Sequence, residues 1–307
     1  MIANMMNDIK TLFSLIKRGI KIFLTDKATV FFSMLAPLII FMLYLLFLGD
    51  IQVDSVKGYM EGVPIDDSII RATVDSWMLA GVVSVSAITV SFSAMHLNIA
   101  DRETGVNADM LVSPIKRRIL SLSYLIYNFI ITVIILMIVI VIAFVYLAAS
   151  GSWYMSAGDA FLIIACSVMS ALSASIISTV FAMFIKTQSA HGAVVGILSA
   201  AIGFLIGAYM PVSMFPAAIQ YFILFIPGTY SATILRNLFM NGAIAKIGEV
   251  APPAADGIRE GFSVDLDLFG HTIDAGYYWL IFACAIVLTI VIYAVLILIK
   301  NRRKKIK

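Results

Sequence analysis

An all-α membrane protein with six transmembrane helices is the architecture this chain predicts, for three reasons. Six apolar runs, at about 29–48, 77–99, 120–149, 160–185, 192–210 and 277–299, contain no Asp, Glu, Lys or Arg. A helix of roughly 20 apolar residues crosses the ~30 Å hydrocarbon core of a bilayer, so each run is long enough to span it. Composition agrees, because 62% of residues are hydrophobic, only 13% are charged and the mean hydropathy is +1.02, far from soluble globular values. The third reason is charge asymmetry. With both termini cytoplasmic, inner segments carry 5 basic residues before the first span, 4 between spans two and three, 1 after span four and 6 in the tail, which is 16 of the 21. That Lys/Arg bias sets the orientation, and an even number of spans returns the C-terminus to the cytoplasm.

Residues 1–28 precede the first span. Within them Ile9, Leu12, Phe13, Ile16, Ile20 and Phe23 share one helical stripe, while Lys10, Ser14, Lys17, Arg18 and Lys21 fall opposite. This pattern predicts an amphipathic helix lying on the inner leaflet, its basic face toward anionic headgroups. It serves as an orientation anchor, or as a surface that also docks a cytoplasmic partner. The first span starts near residue 29 and is followed by Gly49-Asp50 with no small-residue cleavage pattern, so it is expected to remain rather than to be cleaved as a signal peptide.

Between spans two and three, the loop 100–119 reads Asp101-Arg102-Glu103-Thr104-Gly105, then Leu111, Ser113-Pro114 and Lys116-Arg117-Arg118. Ser113 followed by Pro114 predicts a helix start. A short loop joined to two spans moves both when force is applied to it, although its composition alone also fits a solvated turn with positive-inside charges. Spans two and four carry hydroxyl stripes, Ser84, Ser86, Thr89, Ser91 and Ser93 on one, Ser167, Ser170, Ser173, Ser175, Ser178 and Thr179 on the other. Most are expected to bond their own helix backbone; any that face a central path would make it mildly polar and uncharged.

Span five holds Gly192, Gly196, Gly203 and Gly207, which at ~100° per residue lie within about 60° of one another and predict close helix packing. The region 211–241 then contains Pro211, Pro216 and Pro227-Gly228. Each proline removes a backbone donor and disfavours helix in the residue before it, so this region must break into short pieces. Irregular backbone at membrane depth has to be buried in protein or line a cavity, which places it at the outer mouth. Arg236, the one formal charge between Gly192 and Lys246, is expected to snorkel to the outer headgroups. The outer segments 49–75 and 242–276 are too short for separate domains. They form either a small cap or linkers, with short surface helices at 65–76 and 254–262.

Several function classes are disfavoured. The spans lack the buried carboxylates or His relay of an ion-coupled transporter. Cys166, Cys284, His96, His191 and His271 are scattered, so neither a disulfide framework nor a metal site is expected, and no catalytic residue is assigned. The chain has no phosphate-binding Gly-x-x-x-x-Gly-Lys-Ser/Thr motif, and no cytoplasmic segment is long enough for an ATPase domain. Any ATP hydrolysis belongs to another polypeptide.

The loop from Asp101 to the basic residues before span three resembles that of type-2 ATP-binding-cassette transporter permeases. A second stretch is similar to the same family: Gly207-Ala-Tyr-Met-Pro211, Pro216, the Pro227-Gly228 break, Leu235-Arg236-Asn237 and Asn241-Gly242. The resemblance implies that Asp101, Arg102, Glu103 and Gly105 couple to a separate cytoplasmic ATPase, with Glu103 foremost and Glu103→Lys uncoupling transport. It implies that Pro211, Pro216, Pro227 and Gly228 build short re-entrant helices that gate the exit. It also implies two ATPase subunits, which bind ATP and Mg²⁺ in place of this chain, and a second permease chain, a homodimer being expected. The expected function is a multi-pass exporter subunit of a prokaryotic cell membrane that moves a drug, an antimicrobial peptide or a lipid-linked molecule outward. Its other partners are membrane lipids, and no nucleic acid is expected. A channel or membrane scaffold without ATP coupling is the alternative.

Overall fold

A computed structural model describes residues 2–60, 63–113, 115–268, 271, 272 and 274–303. Among them, helices dominate, and six are long and apolar enough to cross a membrane. This is an all-α membrane protein. The strands β1 (Asp267–Leu268) and β2 (His271–Thr272) form one short antiparallel pair.

Helix α1 (Ile2–Thr25) is the predicted amphipathic helix, and part of its apolar stripe packs against the bundle. Ile16 and Phe23 are buried, and Gly19 sits against the ring of Tyr127, whereas Ile9 and Phe13 remain exposed. Asp26 ends this helix and caps α2 (Lys27–Leu43) by accepting from the Thr29 backbone and hydroxyl at 3.1 and 2.6 Å. The first span does not stop at Gly49. A π-helical turn, Tyr44–Leu48, leads directly into α3 (Gly49–Tyr59).

Helix α4 (Asp67–Ala94) and its continuation α5 (His96–Glu103) form span two. The expected surface helix over 65–76 is instead the first part of this span. Ile70, Val74 and Asp75 there are buried, because the apical segments around them close over that end. Span two is the centre of the bundle: 89% of its most apolar window is buried, against 17% for α9 and for the last span. Gly81 allows this packing, since a Cβ there would lie 2.8 Å from the carbonyl oxygen of Ala208.

The loop carries a short helix, α6 (Val106–Val112), and span three, α7, runs from Arg117 to Ala149. The expected helix start at Ser113 is not observed. Ser113 ends α6, its hydroxyl donating to the Met110 carbonyl at 2.6 Å, and α7 begins after Lys116. Pro114 lies outside the described residues. Span four is α8 (Ala157–Ala182), opened by a reciprocal Ser156–Asp159 capping box. Span five is α9 (Gln188–Leu205).

The three prolines each start a new piece, as the missing donor requires. Pro211 precedes a 3-10 turn, Val212–Met214, and Pro216 precedes α10 (Ala217–Ile223), both short as expected; Pro227 is the first residue of α11 (Pro227–Val250), which is not the short piece expected but a helix of 24 residues, because no further proline interrupts it before Pro252. Helices α10 and α11 meet at 93°. The segment 254–262, expected to be helical, is covered by α12 (Pro252–Gly261), and the last span is α13 (Ala275–Arg303). The end of the bundle holding α1 and the loop is called basal below, and the other apical. Large apolar side chains on α7 and α13, such as Val141, Val145, Val287 and Leu288, are exposed, as lipid-facing residues must be.

Candidate functional site

The basal site is built on three consecutive residues, each of which holds a different helix. Asp101, buried on α5, accepts two hydrogen bonds from the Arg18 guanidinium of α1, at 2.7 and 2.9 Å, and a third from the Tyr124 hydroxyl of α7 at 2.6 Å. Paired charge-assisted bonds of this kind fix orientation as well as distance. They push the Arg18 guanidinium further up from its ordinary value, against an opposing effect of partial burial. Arg102 turns the other way. Its guanidinium donates to the Ile185 carbonyl at 2.8 Å and to that of Ala182, closing the C-terminal end of α8, whose last carbonyls have no intrahelical partner.

Glu103 accepts from the Gln188 backbone N–H at 2.8 Å, so its carboxylate sits on the positive N-terminal end of α9. Gly105 then takes φ +84°, the left-handed conformation that a side chain disfavours, and turns the chain into α6. The four residues singled out in the sequence are thus brought together. They form a hub on which α1, α7, α8 and α9 converge, and they leave α6 projecting with Val112 89% exposed. Beside the hub lies a cavity of about 150 Å³ bordered by Asn98, Arg102, Asn107, Arg117 and Tyr293.

The apical residues divide. Pro227 and Gly228 border a cavity of about 280 Å³ within the bundle, together with Ile88, Ser170, Ser173 and Leu198. Its wall is apolar with hydroxyl spots and no charge. Pro211 and Pro216 are not on that cavity; they position the turn whose Val212 and Ser213 border a separate apical hollow with Gln220, Asp256, Arg259 and Asp265.

The span-five glycines divide too. Gly203 lies under the Tyr209 ring, and Gly207, at φ +70°, ends α9 with Val212 and Arg236 against it. Around Gly192 and Gly196 there is open space, so their close packing is not made within one chain. Arg236 does not snorkel. It is fully buried and donates to the carbonyls of Ile206, Gly207 and Ser263 at 2.8, 2.7 and 3.0 Å. The correction has a clear cause, because the left-handed break at Gly207 exposes the last carbonyls of α9, and a fork of N–H groups satisfies several at once.

Sequence reasoning missed the partners more than the site. Arg18 was one of several basic residues on α1, and Tyr124 one of many aromatics. It missed also the cluster of Ser91, Asn128 and Ser178, in which the Ser91 and Ser178 hydroxyls lie 2.8 Å apart and the Asn128 amide donates to Ser178 at 2.8 Å. The lone Asn128 inside an apolar run was the available signal, since a polar amide at that depth needs a partner on another helix. Most other hydroxyls do bond their own backbone, among them Ser84, Ser86, Thr89 and Ser170.

The profile of a family described as ABC-2 type transporter matches residues 10–240, which takes in the basal hub, both cavities' proline-led walls and Arg236. No curated protein matches the chain.

Proposed function

Because this chain belongs to the ABC-2 type transporter family, and so is the permease component of an ABC transporter and not its ATPase, we propose that it exports a hydrophobic or amphipathic substrate using ATP hydrolysed by separate cytoplasmic subunits. The basal end is cytoplasmic in this reading, in keeping with the positive-inside bias. The observation that carries the proposal is the hub at Asp101, Arg102, Glu103 and Gly105. A groove on each ATPase receives α6, and displacement of that helix reaches α1, α7, α8 and α9 through the bonds of the hub. Nucleotide and Mg²⁺ are held by the partner.

The uncharged cavity at Pro227 and Gly228 suits apolar molecules of the drug, amphipathic peptide or lipid-linked kind better than small ions. The open faces of Gly192 and Gly196, beside Ile197 at 73% exposed, suit a second copy of the chain. Pro211, Pro216 and the bent α10–α11 pair close the exit.

The test is ATP hydrolysis by the chain copurified with its cytoplasmic ATPase in lipid nanodiscs. Glu103→Lys disturbs the α9 cap as well as any partner contact, so Val112→Asp is the cleaner change, because Val112 has almost no contact in the chain itself. We expect the complex to hydrolyse ATP and Val112→Asp to abolish stimulation while Tm stays as in the native chain. No ATPase association would refute the proposal and favour a channel or scaffold.

A further inference from the structure

Contrary to the expectation that the spans lack buried carboxylates, span two, extended to Asp67–Glu103, carries two: Asp101 at its basal end and a second at its apical end. Asp75, 1% exposed, accepts from the Ser152 hydroxyl at 2.8 Å and, more loosely, from the Tyr146 and Tyr44 hydroxyls at 3.3 and 3.4 Å. Tyr146 is near the end of α7, Ser152 lies in the connection that follows it, and Tyr44 is in the π-helical turn of span one. Such turns recur at functional sites. Burying a carboxylate away from water is costly unless donors surround it, so this one gathers three segments at a point where an apolar residue would have packed more simply.

The arrangement mirrors the basal hub. Asp101 accepts from Tyr124, near the start of α7, as Asp75 accepts from Tyr146, near its end. Two further ties lie between them: Ser91 to Asn128, and the Tyr127 hydroxyl to the Ala94 carbonyl at 3.0 Å. Along span two the positions 75, 91, 94 and 101 rise while 146, 128, 127 and 124 fall on α7, the order that two antiparallel helices demand. Spans two and three are therefore bonded at both ends and in the middle over roughly 39 Å of helix. The turn that follows α9 meets span two differently, as a bare approach of the Ala208 backbone to Gly81.

We infer that Asp75 is a positioning residue that makes spans two and three one rigid lever, so that displacement of the basal loop reaches the apical π turn and the 150–156 connection without bending on the way. The inference rests on the permease reading. In that reading the lever decides how much loop movement arrives at the exit, and Asp75 with Ser152 and Tyr146 is where it arrives.

The experiment measures spin-label distances in the full chain with its copurifying ATPase in nanodiscs, with and without ATP and vanadate, in a background lacking Cys166 and Cys284 and diluted with unlabelled chain. One pair, at the exposed Arg118 and Lys186, reports the basal end; the other, at Ser68 and Lys246, reports the apical end. Both pairs are expected to shift in the native chain. In Asp75→Ala, and in the milder Tyr146→Phe/Ser152→Ala, which keeps the Tyr146 ring against Phe41, the basal shift is expected to persist and the apical shift to be lost. An apical shift that persists unchanged in the milder variant overturns the lever. A native chain in which the basal pair moves and the apical pair does not overturns it as well, and leaves the permease reading standing. If neither native pair shifts, the ATP-coupled reading falls and the lever with it.

Discussion

Replacing Arg18 by alanine tests the basal hub most directly, because it strands Asp101. The side chain of Asp101 is 6% exposed and that of Arg18 33%, so the carboxylate cannot turn to water when its partner goes, whereas the guanidinium could. Removing one partner of a buried pair costs about 3–5 kcal/mol. Partial exposure of Arg18 and the remaining bond from Tyr124 place Arg18→Ala near the lower end, about 3 kcal/mol. Asp101→Ala should cost a similar amount by another route, since it frees Arg18 to water but leaves the buried Tyr124 hydroxyl without its acceptor, at about 1–3 kcal/mol for that group alone. The double variant should fall well short of the sum, with a coupling of about 1.5–3 kcal/mol. The assay is denaturation in nanodiscs followed by thiol labelling of Cys166, which is buried in the folded chain, with Cys284, which is exposed, replaced by serine. Additivity within about 0.5 kcal/mol would show that α1 is not joined to the loop through this pair.

Other expectations concern the apical end, the open glycines and the first cap. Arg236→Met should leave three carbonyls without donors, at about 1–3 kcal/mol each, and Arg236→Lys should recover only part, because an ammonium is a point donor rather than a fork; yield of folded chain in the membrane and the Cys166 assay measure both. Gly207→Ala should destabilise by about 1–2 kcal/mol from its left-handed conformation alone, and by more because the new Cβ would meet Val212 at 2.5 Å. Gly196→Leu should leave single-chain stability unchanged, since nothing lies within 4 Å, while reducing the dimer fraction measured by light scattering in detergent. Bonds from Thr29 hold the Asp26 carboxyl below its ordinary value of 3.8. Its ionised form therefore stabilises α2 at neutral pH, and the contribution is lost as pH falls below 3.8 through the lowered folded value. Asp26→Ala should remove this pH dependence from hydrogen exchange at the first turn of α2.

Architecture was legible where one residue type or one period decides it. Uncharged apolar runs of this length read as membrane helices, because a lipid interior leaves few other ways to satisfy the backbone, and prolines spaced as closely as 211, 216 and 227 break one helix into pieces, although a lone Pro37 is carried inside α2. The stripe on residues 8–27 and the choice of Asp101, Arg102, Glu103 and Gly105 as one group were also readable along the chain. Partners were not. Which basic residue meets Asp101, that Glu103 caps α9, that Arg236 is buried rather than at the headgroups, and that Asp75 is enclosed by span three all depend on segments from 27 to 85 residues apart arriving at one point. Local patterns record how each residue prefers to meet water or lipid. Tertiary structure alone decides which orphaned carbonyl, helix end or hydroxyl lies near enough to replace the water that a buried charge has lost.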